Sequence, residues 1–299
     1  MIMGHEASGT VAAVGPAVTS LIVGDRVAIE PGIPCRRCKE CISGHYNFCP
    51  DLAFAACPGP GPMVHGVLTQ FFRSQEEFCY KLPNHVSLDM GVLVEPLAVA
   101  VHAAKLLDLR PGQSVIVFGA GTVGLLCAAV ARELGAGKTI IVDINDARLD
   151  FTRKWAAAKI YKSDVSLSPA TNAQKLIEVY GLGAGADAIF EVTGAEPSIQ
   201  AAIHVARRGA SYVQTGIGRS DITIPWVVMS EKEMRVMGHF RYGAGDFALA
   251  IDLLRRRRID VGSLITKRVD FEQAVDAWET TQRGEGIKTL IRVGGNQIE

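Results

Sequence analysis

Three features of the 299-residue sequence predict an α/β fold in which a doubly wound parallel sheet interrupts a β-rich chain. The first is a change of rhythm near Pro111. Before it, short runs are broken by Gly, Pro and Asp; after it, compact apolar strands alternate with segments at helical spacing. The second is the pitch of that alternation, which suits a parallel sheet covered by helices on both faces. The third is another change after Gly238, where the helix and strand patterns are expected to rejoin the first part of the chain.

Taken in order, Gly9–Val14 and Arg26–Glu30 read as strands. Residues 31–66 read as loop, rich in Pro and Gly and holding a cysteine cluster. Ser114–Phe118 is a compact strand, Thr122–Leu134 a helix, Thr139–Asp143 a strand and Asp146–Ala157 a helix. Asp187–Val192 and Ala210–Thr215 are strands with the helix Ser198–Arg207 between them. Gly245–Arg256 and Phe271–Gln282 read as helices, Ile265–Val269 and Lys288–Val293 as strands. The run Arg255–Arg258 closes a helix, where cations suit the negative dipole end.

Composition narrows the function. Lys plus Arg and Asp plus Glu each total 31, so the balanced charge argues against a non-specific nucleic-acid binder. A 48% hydrophobic and 21% charged chain has ample material for a core. The longest uncharged run, Pro111–Ala131, contains four glycines as well as Gln113, Ser114 and Thr122, and reads poorly as a membrane span. The opening MIMGHEASG lacks the basic and apolar regions of a secretory signal, so a cytoplasmic location is expected.

Gly119-Ala-Gly121-Thr122-Val123-Gly124 fits G-x-G-x-x-G between a strand and a helix, the context that makes the pattern a dinucleotide signature. Gly119 permits the tight turn, Gly121 lets backbone approach a pyrophosphate, and Gly124 lets helix and strand pack closely. The helix N-terminus offers amides and a positive dipole end to phosphate. Asp143 ends the next strand, 19 residues beyond Gly124. Its carboxylate can accept from ribose hydroxyls and would repel a 2′-phosphate, which favours NAD over NADP. Arg148 follows, to flank the adenine or answer a phosphate. The alternative is a glycine turn that binds no dinucleotide.

Four of the seven cysteines form the pattern Cys35-x2-Cys38-x2-Cys41-x7-Cys49. Four thiolates can close a tetrahedral zinc site with no open position, stapling a loop that has little core of its own. A pair of disulfides, an iron–sulfur cluster or no metal remain as alternatives; the ferredoxin spacing has x3 before its last cysteine where this chain has x7. Cys57, Cys79 and Cys127 stand alone, Cys127 in an apolar helix as a packing residue.

GHEASGTV, VGDRVAIEPG, the cysteine run, FCYKLP, EPLAVAVH, GAGTVG and GHFRYGAGD occur in this order. Together they resemble the zinc-containing medium-chain alcohol dehydrogenases, within them the polyol (sorbitol and xylitol) branch, and most of all the fungal-type xylitol dehydrogenases, or D-xylulose reductases. The resemblance spans essentially the whole chain. It implies a GroES-like β-rich catalytic domain, residues 1–97 and 241–299 with a structural zinc lobe at about 33–52, interrupted by a Rossmann NAD-binding domain, residues 98–240. It implies that His5, Glu6 and Glu95 surround a catalytic zinc, that Glu95, Arg241 and Tyr242 meet the polyol, and that Asp143 and Arg148 hold the adenosine end of NAD. Cys35, Cys38, Cys41 and Cys49 would hold a second, structural zinc. The expected activity is oxidation of a polyol, xylitol to D-xylulose or sorbitol to fructose, in a homo-oligomer, dimer or tetramer, with no nucleic-acid or membrane partner.

In one respect the sequence departs from the family. A cysteine ligand within a Cys-Gly-Ser-Asp segment precedes the family's GHE motif, whereas here only four residues precede His5. The sequence is therefore expected to be a family member without its N-terminal segment, holding catalytic zinc weakly and turning over poorly. The alternative is an inactive NAD-binding relative. A zinc-free reductase of the quinone-reductase type is disfavoured by the cysteines and the GHE segment. The remaining histidines, His45, His65, His85, His102, His204 and His239, take no role from spacing, and His102 reads as a helix-packing residue.

Overall fold

The computed structural model describes residues 1–57, 61–156 and 158–294. The chain divides into two compact units, Met1–Ala98 with Arg241–Glu299, and Val99–Phe240.

The first unit opens with β1 (Ala7–Thr10) and β2 (Arg26–Ile29). A lobe follows, with β3 (Gly32–Ile33), α1 (Lys39–Ile42) and β4 (Ala53–Phe54), and then β5 (Cys79–Lys81), α2 (Leu88–Gly91) and α3 (Val94–Leu107). Strands β1, β2 and β5 make an antiparallel sheet in which Ala7 faces Ile29 and Ile29 faces Cys79. That register sets the residues just outside the strands, His5 and Glu6 before β1 and Glu30 after β2, at one end of the sheet. The chain crosses to the second unit within α3. The stretch Leu88–Leu107 is long and apolar enough to cross a bilayer, but 67% of it is buried within the protein.

The second unit is a doubly wound sheet. Its elements are β6 (Ser114–Phe118), α4 (Thr122–Glu133), β7 (Lys138–Asp143), α5 (Asp146–Trp155), β8 (Lys159–Lys162) and α6 (Pro169–Tyr180). They continue with β9 (Ala186–Glu191), α7 (Glu196–Val205), β10 (Ala206–Gln214), α8 (Trp226–Glu231) and β11 (Arg235–Gly238). All six strands pair in parallel, in the order β8-β7-β6-β9-β10-β11. The order reverses between β6 and β9, and in such sheets the crevice at the strands' carboxyl ends at that reversal is where ligands bind. Both faces are covered, so the central strands are apolar throughout: Val115–Phe118 and Ile140–Val142 are buried. Ile116, Phe118, Ile140, Val142, Leu176 and Ile189 share one core cluster.

The chain then returns to the first unit through α9 (Asp246–Arg255), β12 (Ile265–Asp270), α10 (Ala274–Gln282) and β13 (Lys288–Arg292), with β12 and β13 paired in parallel.

Several expected boundaries move. The first strand spans Ala7–Thr10 rather than Gly9–Val14, because its ladder partners in β2 end at Arg26. The helix expected at Ser198–Arg207 starts earlier, at Glu196 with Pro197 in its first turn, and stops at Val205 because Ala206 already pairs with Ala186 in the sheet. Phe271–Gln273 is a 3-10 turn before α10. Residues 31–66, expected as loop, carry β3, α1 and β4. The helix expected at Asp146–Ala157 ends at Trp155, and its last expected residue, 157, lies outside the described residues. Elements β8, α6, α8 and β11 carried no sequence expectation. Cys127 is fully buried. In the arginine run, Arg255 and Arg256 pair with Asp252 on their own helix.

Candidate active site

In the first unit, His5, Glu6 and Glu95 each place a ligand atom within 4.8 Å of the others. Their convergence has local causes. Gly4 takes φ +87°, and the segment before His5 is threaded against residues 66–68: Gly66 N–H donates to the Ile2 carbonyl at 2.8 Å and Val67 N–H to that of Gly4 at 2.9 Å. A Cβ on Gly66 would fall 2.3 Å from the Met3 carbonyl oxygen, so only glycine allows the approach. Glu95 lies in the first turn of α3 beside Pro96, where a missing amide costs no helical hydrogen bond.

The electrostatics of this trio suit a cation. Burial, then the positive charges of Lys288 and Arg241, holds the His5 imidazole below its ordinary range, which keeps it in the neutral form that ligates metal. Glu95 is 6% exposed, and burial pushes its carboxyl up to about 8 against the pull of Arg241 and the Tyr242 hydroxyl. A divalent cation beside it would favour the carboxylate form. Three protein donors also leave tetrahedral zinc one open position, the arrangement of catalytic sites.

Arg241 and Tyr242 stand beside these groups. Arg241 takes φ +58°, a left-handed conformation unusual for a residue with a side chain, and its guanidinium lies 3.7 Å from the Phe54 ring centroid. The His5 ring packs on Phe54 at 5.7 Å. Tyr242 is buried and packs edge-on against Phe247, with the ring centroids 5.7 Å apart. Sequence reasoning missed Phe54, Lys288 and Glu30. Lys288 is ion-paired with Glu6. Glu30 is 1% exposed and accepts from Tyr46 at 2.5 Å and Tyr80 at 2.9 Å. The VAIEPG segment and the paired tyrosines were visible as residues, but nothing in their spacing showed that they meet.

The four lobe cysteines also converge, with all Sγ atoms within 4.8 Å. Cys38 and Cys41 sulfurs are 3.4 Å apart, Cys35 and Cys41 4.0 Å. Tetrahedral thiolates on zinc stand about 3.8 Å apart, and a disulfide would hold its sulfurs at about 2.05 Å. Backbone amides, first that of Arg37 and then that of Cys38, hold the Cys35 thiol below its ordinary range, whereas burial pushes the Cys41 and Cys49 thiols up, so a bound cation would be what favours thiolate across the quartet. Left-handed turns at Arg36 and Gly44 wind the segment around this centre.

In the second unit the glycine loop follows β6 and opens α4. Gly119 takes φ +111°, and a Cβ there would lie 2.8 Å from Val192 Cγ2 in the segment after β9. A Cβ on Gly124 would fall 1.9 Å from the Gly119 carbonyl oxygen, so these two glycines are demanded by the protein's own packing. At Gly121 a Cβ would meet nothing, so the need for glycine there is that of a ligand approaching the backbone. Thr122 and Val123 begin α4, whose first-turn amides have no preceding helical carbonyl to bond. Asp143 is tied to this loop: one oxygen accepts from Ala120 N–H at 2.7 Å, the other from Asn145 N–H at 2.8 Å. Arg148 has a buried Nε without a hydrogen-bond partner, a donor suited to a nucleotide. Another missed residue is Glu191, fully buried at the end of β9, which accepts from Gly194 N–H at 2.9 Å and Gln214 Nε2 at 2.7 Å and so ties the segment after β9 to the end of β10. The His102 and His239 rings lie 5.3 Å apart, and His65 accepts from Ile2 N–H through Nδ1 at 3.1 Å.

Known proteins share this architecture. Residues 1–84 match the alcohol dehydrogenase GroES-like domain, and residues 122–256 match the zinc-binding dehydrogenase family. A probable D-xylulose reductase A of Aspergillus clavatus is 50% identical over 291 residues, covering 97% of this chain and 80% of that protein. The D-xylulose reductase A of Aspergillus niger is 51% identical with the same coverage. Among solved structures, an Escherichia coli oxidoreductase of unknown specificity superposes with TM-score 0.89 at 33% identity, covering 98% of this chain and 82% of that one. Escherichia coli L-idonate 5-dehydrogenase does so with TM-score 0.86 at 26% identity, covering 98% and 82%. On sequence and fold alike, the chain belongs to the zinc-binding alcohol dehydrogenases.

Proposed function

We propose that the protein is a zinc- and NAD-dependent polyol dehydrogenase that oxidises xylitol to D-xylulose or sorbitol to fructose. The observation that carries this reading is the meeting of His5, Glu6 and Glu95 with Arg241 and Tyr242, in a chain half identical to proteins named D-xylulose reductases. Oxidation removes a hydride from the carbinol carbon and a proton from its hydroxyl. Bound zinc supplies the Lewis acidity that makes the hydroxyl acidic, and bound NAD supplies the hydride acceptor.

The chain's own residues supply the rest. His5, Glu6 and Glu95 would hold the catalytic metal. Arg241 donates hydrogen bonds to the polyol's further hydroxyls, and Tyr242 donates or accepts them. Gly121 and the start of α4 take the pyrophosphate, and Asp143 takes the adenosine ribose hydroxyls, a preference for NAD over NADP. Arg148 flanks the adenosine end. Cys35, Cys38, Cys41 and Cys49 hold a structural zinc. The enzyme acts in the cytoplasm as a homo-oligomer, a dimer or tetramer, without nucleic-acid or membrane partners.

The test is a purified protein assayed for zinc by mass spectrometry and for NADH formation with xylitol, sorbitol and arabinitol, with threonine and simple alcohols as controls. Ketose formation from a polyol is expected. NAD binding without turnover of any polyol would overturn the reading.

A further inference from the structure

We infer that Tyr46 and Glu30 form a positioning clamp through which the four-cysteine lobe sets the conformation of the Arg241–Tyr242 segment; its consequence for polyol affinity rests on the function proposed above. Tyr46 belongs to the lobe. It sits between Cys41 and Cys49, and its carbonyl accepts from Cys49 N–H at 3.0 Å. Its hydroxyl leaves the lobe to donate to Glu30 Oε1 at 2.5 Å, with the Gly243 carbonyl as a weaker second acceptor at 3.3 Å. Gly243 directly follows Tyr242, and its own N–H donates to Asp246 Oδ2 at 2.7 Å. A second route runs in parallel. Tyr80 donates to the other Glu30 oxygen at 2.9 Å, and its ring packs on Phe247 at 4.9 Å, on which Tyr242 packs in turn.

The physical reason for a clamp is twofold. Arg241 is held in a left-handed conformation that its own preferences disfavour, so the surrounding contacts must hold it there. Glu30 is 1% exposed, and a buried carboxyl that loses a donor is costly, so its two tyrosines and the elements carrying them are held together. A lobe with little core depends on its metal for order. Loss of that metal releases Tyr46, and with it one of the two supports of the segment that carries Arg241 and Tyr242.

The experiment combines hydrogen exchange and kinetics on the full chain loaded with zinc. In Tyr46→Phe, zinc content should be unchanged, exchange in the peptide spanning 241–246 should rise about tenfold, KM for xylitol should rise similarly, and KM for NAD should stay constant. Releasing thiolate-bound zinc from the parent protein with a thiol-directed mercurial should raise exchange in the same peptide. In Tyr46→Phe the reagent should add little, because the link is already cut. Additive effects, or unchanged exchange at 241–246 in the variant, overturn the clamp. If Tyr46→Phe fails to fold, Glu30→Gln is read the same way. Exchange needs no substrate, so a clamp confirmed by exchange in a protein that oxidises no polyol would sink the functional reading alone.

Discussion

Lys288, at the start of β13, is ion-paired with Glu6, the residue that enters β1, across 282 positions of sequence. The side chains are 17% and 24% exposed, so the pair is partly withdrawn from water. It holds one Glu6 oxygen in place beside His5 and Glu95. Lys288→Met should cost about 1–3 kcal/mol, because it leaves a partly buried carboxylate without its partner. In the double variant with Glu6→Gln much of that loss should vanish, and a urea-denaturation double-mutant cycle measures the coupling.

The glycine loop separates packing from binding. Gly124→Ala should destabilise the second unit by about 1–3 kcal/mol, since its Cβ has nowhere to go. Gly121→Ala should leave thermal unfolding nearly unchanged yet weaken NAD binding, measured by calorimetry. Equal loss of stability in both variants would contradict this account of the loop.

Asp143 should govern the choice of dinucleotide. Asp143→Ser removes the charge that opposes a 2′-phosphate, and the ratio of kcat/KM with NADP to that with NAD should rise about tenfold or more. Because Asp143 also accepts from Ala120 and Asn145, activity with NAD should fall at the same time.

Removing the lobe metal should be visible in zinc content. Cys38→Ser should lower zinc content by one ion per chain relative to the parent, the ion of the cysteine cluster, and should reduce thermal stability. Unchanged zinc content would argue that the cysteines do not form one centre.

Asp187 supplies a pH-dependent element in the second unit. Burial pushes its carboxyl up, but the Ser114 hydroxyl and amide and then Arg207 outweigh this and hold it below its ordinary value of 3.8. A group depressed on folding contributes stability that is present above its unfolded value and lost as pH falls through the folded one. Asp187→Asn should therefore be less stable than the parent at pH 6 by about 1 kcal/mol. The difference should shrink as pH falls below the ordinary carboxyl value of 3.8 and through the depressed folded one, followed by urea denaturation across pH.

The sequence by itself determined what depends on local pattern. The glycine loop needs a strand before it and a helix after it, and those contexts lie within a few residues, so Ser114–Phe118 and the start of α4 were legible with the dinucleotide loop they frame. The cysteine quartet was legible because its spacing fixes the chemistry of a metal-binding turn. The strand Ala206–Gln214 was misjudged at its start because Ala206–Arg207 continues a helical pattern, and pairing with Ala186 overrides it. Only the tertiary structure decided that Lys288 reaches Glu6, that Phe54 lies between His5 and Arg241, and that Glu30 draws Tyr46 and Tyr80 together. These contacts join residues from β-strands and loops far apart in the chain. Their partners are chosen by burial, where an unpaired charge or hydroxyl is expensive, and no periodicity along the sequence records that choice.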